Sequence, residues 1–202
     1  SQAIIIEVYS FAAFLFLLCW WQILRFVRTK RELDWFLLCF YGGLGLSNHW
    51  PLFVLSCVGF LPLFFRHHAI FAALLKAKTI FISFGLLLIG LSPYLLLLQN
   101  EPNIAMYGEV NLDNFLPYVL REYYSDVHLG VSHDDKLAYL LWLVPLTAQQ
   151  LGPIAMFPVL IGLVCGRKIL GTTNFLSVLL IYLATTFLLM LLLDFRFEYQ
   201  SQ

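Results

Sequence analysis

Residues 42–51 of the chain read GGLGLSNHWP and interrupt an otherwise apolar part of the sequence. An amide, an imidazole, an indole and a proline follow one another there, and the apolar segments on either side cover about 35–46 and 50–65. Each segment is long enough only for a short or tilted membrane crossing. The stretch therefore predicts an out-and-back pair of crossings, joined by the polar knot Ser47-Asn48-His49.

The composition of the whole chain indicates an integral membrane protein. Hydrophobic residues make up 61% of the 202 residues and charged residues 12%, whereas about 25% of an ordinary soluble domain is charged. Because a spanning helix needs about 20 apolar residues, this length holds about five or six crossings and one sizeable loop. The net charge of zero, with no long basic block, excludes nucleic-acid binding.

Hydropathy predicts an all-α integral membrane protein, a polytopic helical bundle forming a single membrane domain over residues 1–202. The predicted spans cover about 3–27, 35–46, 50–65, 79–98, 151–165 and 175–193. The one long polar segment, about 99–136, is predicted to be an outer loop. Apolar residues recur with helical spacing over about 114–124, which predicts an amphipathic helix on the membrane surface, and a second interfacial helix is predicted over about 136–148.

The basic residues predict the orientation of these spans, because cytoplasmic loops of membrane proteins carry an excess of Lys and Arg. Nine of the 12 basic residues fall on the side that holds the predicted turns 28–31 and 166–168. These nine are Arg25, Arg28, Lys30, Arg31, Arg66, Lys76, Lys78, Arg167 and Lys168. That side is predicted to be cytoplasmic, so the polar knot and the long loop are predicted to face outward.

Four motifs in the chain follow one another in the order and spacing of a known membrane family. They are Ser1-Gln2-Ala3 running into Glu7-Val8-Tyr9, Gly43–His49, Leu91-Ser92-Pro93-Tyr94, and Tyr107-Gly108-Glu109 followed by Phe115 and Arg121-Glu122-Tyr123. With these motifs the chain resembles the former domain-of-unknown-function family that includes the animal protein O-mannosyltransferase of the endoplasmic reticulum. Two positions depart from the family pattern, since Trp50 stands where members often have a second His, and 107–110 differs from a Trp-Gly-Asp-Pro-like stretch.

The resemblance implies a GT-C-like bundle and a glycosyltransferase that takes a sugar, mannose or similar, from a polyprenyl-phosphate carrier. The acceptor would be a protein or another glycan, and the membrane a bacterial inner membrane or the endoplasmic reticulum, with the active site facing the periplasm or lumen. Such enzymes usually hold a catalytic acid in the first outer loop. The chain begins in an apolar segment without an initiator Met, so it is expected to be a central fragment whose general base lies upstream.

Five residues are the candidate substrate-binding residues of this enzyme: Glu7, Asn48, His49, Glu109 and Arg121. Acidic residues near the end of a span tend to mark function, although Glu7 is equally well explained as an interfacial group or a partner of His49. Asn48 and His49 either cap two short helices or hydrogen-bond a phosphate or sugar hydroxyl. The guanidinium of Arg121 either grips the carrier phosphate or pairs with a neighbouring acid.

No metal site is predicted from the remaining histidines, although the resemblance leaves open whether a divalent metal takes part. Adjacent residues on a helix point about 100° apart, so His67 and His68 make a poor shared site. Asp134 and Asp135, after His133, precede an apolar run and have the position of helix N-caps. Tyr94 is interpreted as an aromatic anchor at the membrane interface.

A transporter or a flippase of the lipid carrier is the alternative function. That class is expected to place ionisable residues near the middle of the membrane and often contains inverted repeats. Here the acidic residues gather at the predicted outer rim, and no internal repeat is evident. This distribution favours the enzyme.

Overall fold

The computed structural model of the protein describes residues 2–99, 110–120 and 133–188, and this part of the chain is helical without any strand. The α-helices are α1 (Gln2–Thr29), α2 (Glu32–Cys57), α3 (Leu61–Arg66), α4 (His68–Ala72), α5 (Ala77–Leu91), α6 (Phe115–Val119) and α7 (His133–Leu183). Short 3-10 segments, Val58–Phe60 and Ser92–Gln99, follow α2 and α5, and a π-helical turn, Ala184–Leu188, follows α7.

Four helical stretches in these residues are long and apolar enough to cross a membrane: Ser10–Thr29, Glu32–Arg66, Ala77–Leu98 and Phe157–Thr186. Their lengths run from 20 to 35 residues, and two of them, Glu32–Arg66 and Phe157–Thr186, each contain a break in the helix, at His49 and at Gly171. The all-α membrane class that composition predicts is thereby confirmed for the described part of the chain.

The stretch Glu32–Arg66 folds back on itself at His49. His49 has non-helical backbone angles, φ −145° and ψ 75°, and Pro51 follows it. A Cβ placed on Gly45 would overlap the ring of Phe53, although eight residues of straight helix would separate these positions by about 12 Å. Glu32–Arg66 is therefore a hairpin, with a first arm over 32–48, a second arm over 50–66 and His49 at its tip.

Aromatic contacts show that the second arm returns to the level at which the first arm begins. The ring of Phe71, just after the hairpin, lies 4.4 Å from that of Phe64, 5.6 Å from that of Phe26 and 6.0 Å from that of Trp35. At about 1.5 Å per residue each arm spans about 25 Å, slightly less than the hydrocarbon core of a bilayer. The predicted segments 35–46 and 50–65 lie on these two arms.

The hairpin packs against α1 through an apolar core. Its buried members are Leu15, Cys19, Ile23, Leu38, Phe53, Phe60 and Leu63, contributed by α1 and both arms. Phe16 of α1 stacks on Phe60 with ring centroids 5.5 Å apart and meets the edge of Phe53 at 6.4 Å. Aromatic pairs of this geometry contribute beyond the area they bury, so α1 holds the two arms together.

Helix α5 runs beside the first arm in the same direction. Trp35 Nε1, near the start of α2, donates a 2.8 Å hydrogen bond to Ser83 Oγ in the first half of α5. Further along, a Cβ on Gly43 would lie 2.8 Å from the Cα atom of Gly90, so the two backbones touch. Small residues allow such close approach between helices in membranes.

Two glycines with positive φ divide α7 into three helical segments. Gly152 has φ 69° and Gly171 has φ 76°, a backbone region that L side chains rarely adopt. A Cβ on Gly166 would lie 2.9 Å from Cδ2 of Phe175, a contact that requires the chain to reverse between them because nine residues of helix span about 13 Å. The segments 153–170 and 172–183 therefore form a second hairpin.

The hydropathy pattern placed the turn of this second hairpin at 166–168, and that prediction is wrong. Gly166, Arg167 and Lys168 are helical, and the helix breaks at Gly171. Basic residues can sit in the last turn of a helix as well as in a loop, whereas only the glycine accepts the backbone conformation of the break. Of the last predicted span, 175–193, residues 189–193 lie outside the described part.

The last segment, 172–183, packs on the second arm of the first hairpin. A Cβ on Gly59 would overlap Ile181 and lie 3.0 Å from the carbonyl oxygen of Ser177. The preceding segment, 153–170, is largely exposed and apolar, with Phe157 68% and Val164 81% exposed. Exposed apolar surface of this extent fits contact with lipid acyl chains.

Candidate functional site

Two side chains of the polar knot at the hairpin tip, those of Ser47 and His49, form hydrogen bonds with backbone groups of the hairpin itself. Ser47 Oγ donates to the carbonyl of Leu44 at 2.9 Å, and the amide of Leu52 lies 3.4 Å from His49 Nδ1, which accepts from it. These bonds have the form of helix caps, which satisfy backbone groups that a membrane cannot. With Nδ1 accepting, a neutral His49 ring carries its proton on Nε2 and presents that N–H as a donor.

Two long-range hydrogen bonds bring other elements to this tip. Trp50 Nε1 donates to the carbonyl of Val119 in α6 at 3.0 Å, and the Tyr94 hydroxyl donates to the carbonyl of Leu46 at 2.9 Å. The tip of the hairpin, the end of the α5 span and the short helix α6 therefore meet at one place. We call Asn48, His49 and these four residues the tip site.

Sequence reasoning missed the roles of Trp50 and Tyr94 in the tip site. Trp50 was considered only as a departure from a family pattern, and Tyr94 was interpreted only as an anchor at the membrane interface. Both are aromatic residues that carry one polar group and stand where an apolar span ends. The polar group of such a side chain finds a hydrogen-bond partner when it is buried. That signal indicates that partners exist, but it does not name Val119 or Leu46.

An apolar groove of about 520 Å³ lies between α1, the second arm of the hairpin and the last segment of α7. Its walls include Phe16 and Trp20 from α1, Leu52 and Phe53 from the second arm, and Ile181 from the last segment. Its two hydroxyl groups are already used, since Ser56 donates to the carbonyl of Leu52 and Thr185 to that of Ile181, both at 2.8 Å. The groove therefore suits a hydrocarbon chain.

The groove begins at the tip site. Leu52 lines the groove, and its amide is the group that lies against Nδ1 of His49. One residue thus connects the polar end of the hairpin to the apolar cavity. This arrangement can accommodate an amphipathic molecule with a polar head at His49 and an apolar tail between the helices.

The structure describes the side chains of two of the five predicted substrate-binding residues. Asn48 and His49 lie together at the hairpin tip, each with hydrogen-bonding or electrostatic partners. The side chain of Glu7, in the first part of α1, lies outside the described residues, as do Glu109 and Arg121 in full. In the sequence, Glu109 is followed by Val110, which is described and is 1% exposed. Arg121 is preceded by Leu120, which is described and lies at the end of α6.

A second polar cluster lies at the opposite end of the bundle, around the buried carboxylate of Asp34. It accepts hydrogen bonds from Gln22 Nε2 at 3.0 Å and Thr29 Oγ1 at 2.5 Å, and pairs with Arg25 Nε at 3.1 Å. Asp34 is 1% exposed and stands in the first turn of α2, where the helix dipole favours a negative charge. Sequence reasoning gave Asp34 no role.

The basic residues of this part of the chain collect at the Asp34 end. There α1 ends near Arg28, α2 begins after Arg31, α3 ends at Arg66 and α5 begins after Lys76. We call this the basic end of the bundle and the opposite one the His49 end. Among the described residues, no three His, Cys, Asp or Glu side chains are grouped to hold a metal ion.

Fold and site together define a polytopic helical membrane protein with an apolar groove that borders a polar hairpin tip. Comparison of the chain with known protein families, with curated proteins and with solved structures found no match.

Proposed function

We propose that the protein is a membrane glycosyltransferase of GT-C type that transfers a sugar, mannose or similar, from a polyprenyl-phosphate carrier to a protein or another acceptor. The observation that supports this proposal is the apolar groove that starts at the tip site. A polyprenyl-phosphate sugar has a long apolar tail and a charged head, and the groove and the tip offer a matching environment for each.

The tail of the donor would occupy the groove. The groove walls are contributed by three separate helices, and its hydroxyls are bonded within their own helices. A hydrocarbon chain therefore leaves both hydroxyls of the lining with their hydrogen bonds, and it buries apolar surface on both sides at about 25 cal/mol per Å². A polar substrate of similar size would lose hydration in this groove without replacing it.

The phosphate of the donor would lie at the tip site, where Asn48 and His49 supply amide and imidazole N–H donors. Arg121 would complete the site, since it follows by two residues Val119, whose carbonyl accepts a hydrogen bond from Trp50. A guanidinium binds two phosphate oxygens at once and stabilises the charge that the leaving phosphate gains. Glu7 and Glu109 remain our proposed acidic residues of the substrate site.

In the transfer, the acceptor hydroxyl attacks the anomeric carbon, the bond from that carbon to the phosphate oxygen breaks, and polyprenyl phosphate leaves with its electron pair. The hydroxyl proton passes to a general base. We assign no residue of this chain to that base.

The distribution of charge supports a side for this chemistry. The basic end holds the Lys and Arg residues at the ends of α1, α2, α3 and α5, so we propose that it faces the cytoplasm. The His49 end would then face the periplasm of a bacterium or the lumen of the endoplasmic reticulum.

Filling the groove tests the proposal. Ala13 lines the groove and is exposed, so Ala13→Trp adds bulk without entering the packed core. We expect the variant to bind a radiolabelled polyprenyl-phosphate mannose at least about tenfold more weakly in detergent, the loss of roughly one well-packed contact. The matched control is Ile169→Trp, which changes a 70% exposed residue away from the groove.

Equal donor binding by both variants would contradict the proposal. Donor binding with movement of the carrier across vesicle membranes, and no sugar transfer by the protein in its native membrane, would instead support the flippase.

A further inference from the structure

A pocket of about 270 Å³ lies at the basic end, between α1, the end of α3 and the break at Gly171. Its apolar lining, which we call its floor, is formed by Leu24, Val27, Leu63 and Leu170. Its rim is polar and carries Arg28 from α1, Arg66 and His67 after α3, and Thr173 and Asn174 after the break. Three separate elements of the fold thus contribute to one cavity.

The rim of this pocket has an unbalanced positive charge. No carboxylate is among the residues that line it. The described acids of the basic end are used elsewhere, since Asp34 pairs with Arg25 and Glu32 lines a separate cavity together with Lys30 and Lys76. The two guanidinium groups of Arg28 and Arg66 therefore face a cavity that favours an anion.

Arg66 is held in place at this rim. Its Nη1 donates a 2.8 Å hydrogen bond to Thr173 Oγ1, which fixes the guanidinium relative to the last segment of α7. A guanidinium has five N–H donors in a planar fork, so the remaining donors are available to a second acceptor. The segment that starts after Gly171 also presents the positive end of its helix dipole here.

We propose that this pocket binds the phosphate of an anionic membrane lipid. The ligand chemistry is a phosphate diester, bound by the guanidinium groups of Arg28 and Arg66. Further donors are His67 and the second N–H of Asn174 Nδ2, whose first N–H bonds to the carbonyl of Leu170 at 3.0 Å. The apolar floor favours a lipid over free phosphate, because it offers surface to the glycerol and the first acyl carbons. Basic pockets between membrane helices bind anionic headgroups in this way. The site lies at the other end of the bundle from the tip site, and no residue lines both this pocket and the donor groove.

A bound lipid would join the last segment of α7 to α1 and α3. A ligand that binds only the folded state raises its stability as its concentration increases. Bound headgroup and melting temperature are therefore two independent readouts of the same site, and neither requires any enzymatic activity.

The experiment compares two double variants of the full chain in detergent with added lipid. Arg28→Gln with Arg66→Gln removes two charges that line the pocket. Arg31→Gln with Lys78→Gln removes two charges from exposed residues of the same end that do not line it. Native mass spectrometry counts bound phosphatidylglycerol, with phosphatidylcholine as the neutral lipid, and thermal unfolding is followed over a phosphatidylglycerol titration.

We expect the parent and the control variant to retain phosphatidylglycerol and to melt at higher temperature with it. The pocket variant should bind at least about tenfold more weakly, the loss expected for a charge-assisted hydrogen bond. If the pocket variant folds poorly, Arg66→Lys replaces it in the test. This variant keeps the positive charge but loses the planar guanidinium with its paired N–H donors, so it should show an intermediate affinity for the lipid.

Equal weakening in the two double variants would overturn the proposal, because the effect would then be general attraction to charge. Displacement of the lipid by millimolar inorganic phosphate, or a melting shift with phosphate alone, would overturn the lipid as the source of the anion. Unchanged binding in the pocket variant would also overturn the proposal, because the two guanidinium groups would then not hold the lipid.

Discussion

Gly43 of the first arm and Gly90 of α5 lie in direct backbone contact. A Cβ on either glycine would be 2.8 Å from the Cα atom of the other, and the carbonyls of Leu87 and Phe40 are closer still. Neither neighbour can give way by changing a rotamer, because both are backbone. This contact sets the distance between the two helices that lead to Leu46 and Tyr94 of the tip site.

The Gly43 contact predicts an asymmetric effect of alanine at two adjacent glycines. Gly43→Ala should destabilise the protein by about 1–3 kcal/mol, as overpacking does. Gly42→Ala should be neutral or stabilising by up to about 1 kcal/mol, because nothing lies within 4 Å of its Cβ position and alanine favours a helix. Thermal unfolding in one detergent measures both, and equal melting temperatures would contradict the contact.

The Asp34 cluster is predicted to hold α1 to the start of α2. Asp34→Asn leaves Arg25 without its buried partner and weakens the bonds from Gln22 and Thr29. Since Arg25 is 42% exposed and can recover solvation, we expect a loss of about 1–3 kcal/mol in the free energy of unfolding. Glu32→Gln, in the same first turn of α2, is the matched control. A similar loss in both variants would show that helix-end charge, not the cluster, is responsible.

The orientation of the bundle follows from the basic end and can be tested by labelling. In a protein without native cysteines, single cysteines at Lys30, Leu112 and Arg167 are exposed to an impermeant thiol reagent in right-side-out vesicles. Leu112, which is 82% exposed, should react at once. The cysteines at 30 and 167 should react only after the membrane is opened with detergent. The reverse pattern would invert the proposed topology.

His49 and Arg121 are predicted to bind the donor phosphate. His49→Ala and Arg121→Ala should each weaken binding of polyprenyl-phosphate mannose by about 10- to 150-fold, the equivalent of one charge-assisted hydrogen bond of about 1.5–3 kcal/mol. Folded yield should change less. His49→Gln keeps a hydrogen-bonding side chain at the kink, so it should separate the role of His49 in capping the helix from its role in binding the donor phosphate. Poor folding of both alanine variants, with normal donor affinity in the folded fraction, would assign the residues to capping and pairing alone.

The sequence by itself determined the membrane class, since hydropathy sums over neighbouring residues and needs no knowledge of their partners. It also marked residues 47–49 as the position where an apolar stretch is interrupted, and the structure bends there at His49. Of the candidate site, it indicated Asn48 and His49 because polar side chains are rare inside apolar runs.

Only the tertiary structure decided which residues meet at that bend. The bond from Trp50 to Val119 spans 69 residues and that from Tyr94 to Leu46 spans 48. Such pairs depend on how helices pack, which no local pattern encodes. The turn of the second hairpin is also decided by tertiary structure, because the sequence does not show whether the chain reverses at Gly166 or at Gly171. The ring of Phe175 against Gly166 requires the reversal to come after it, and the chain makes that reversal at Gly171, in a backbone conformation that glycine adopts without strain.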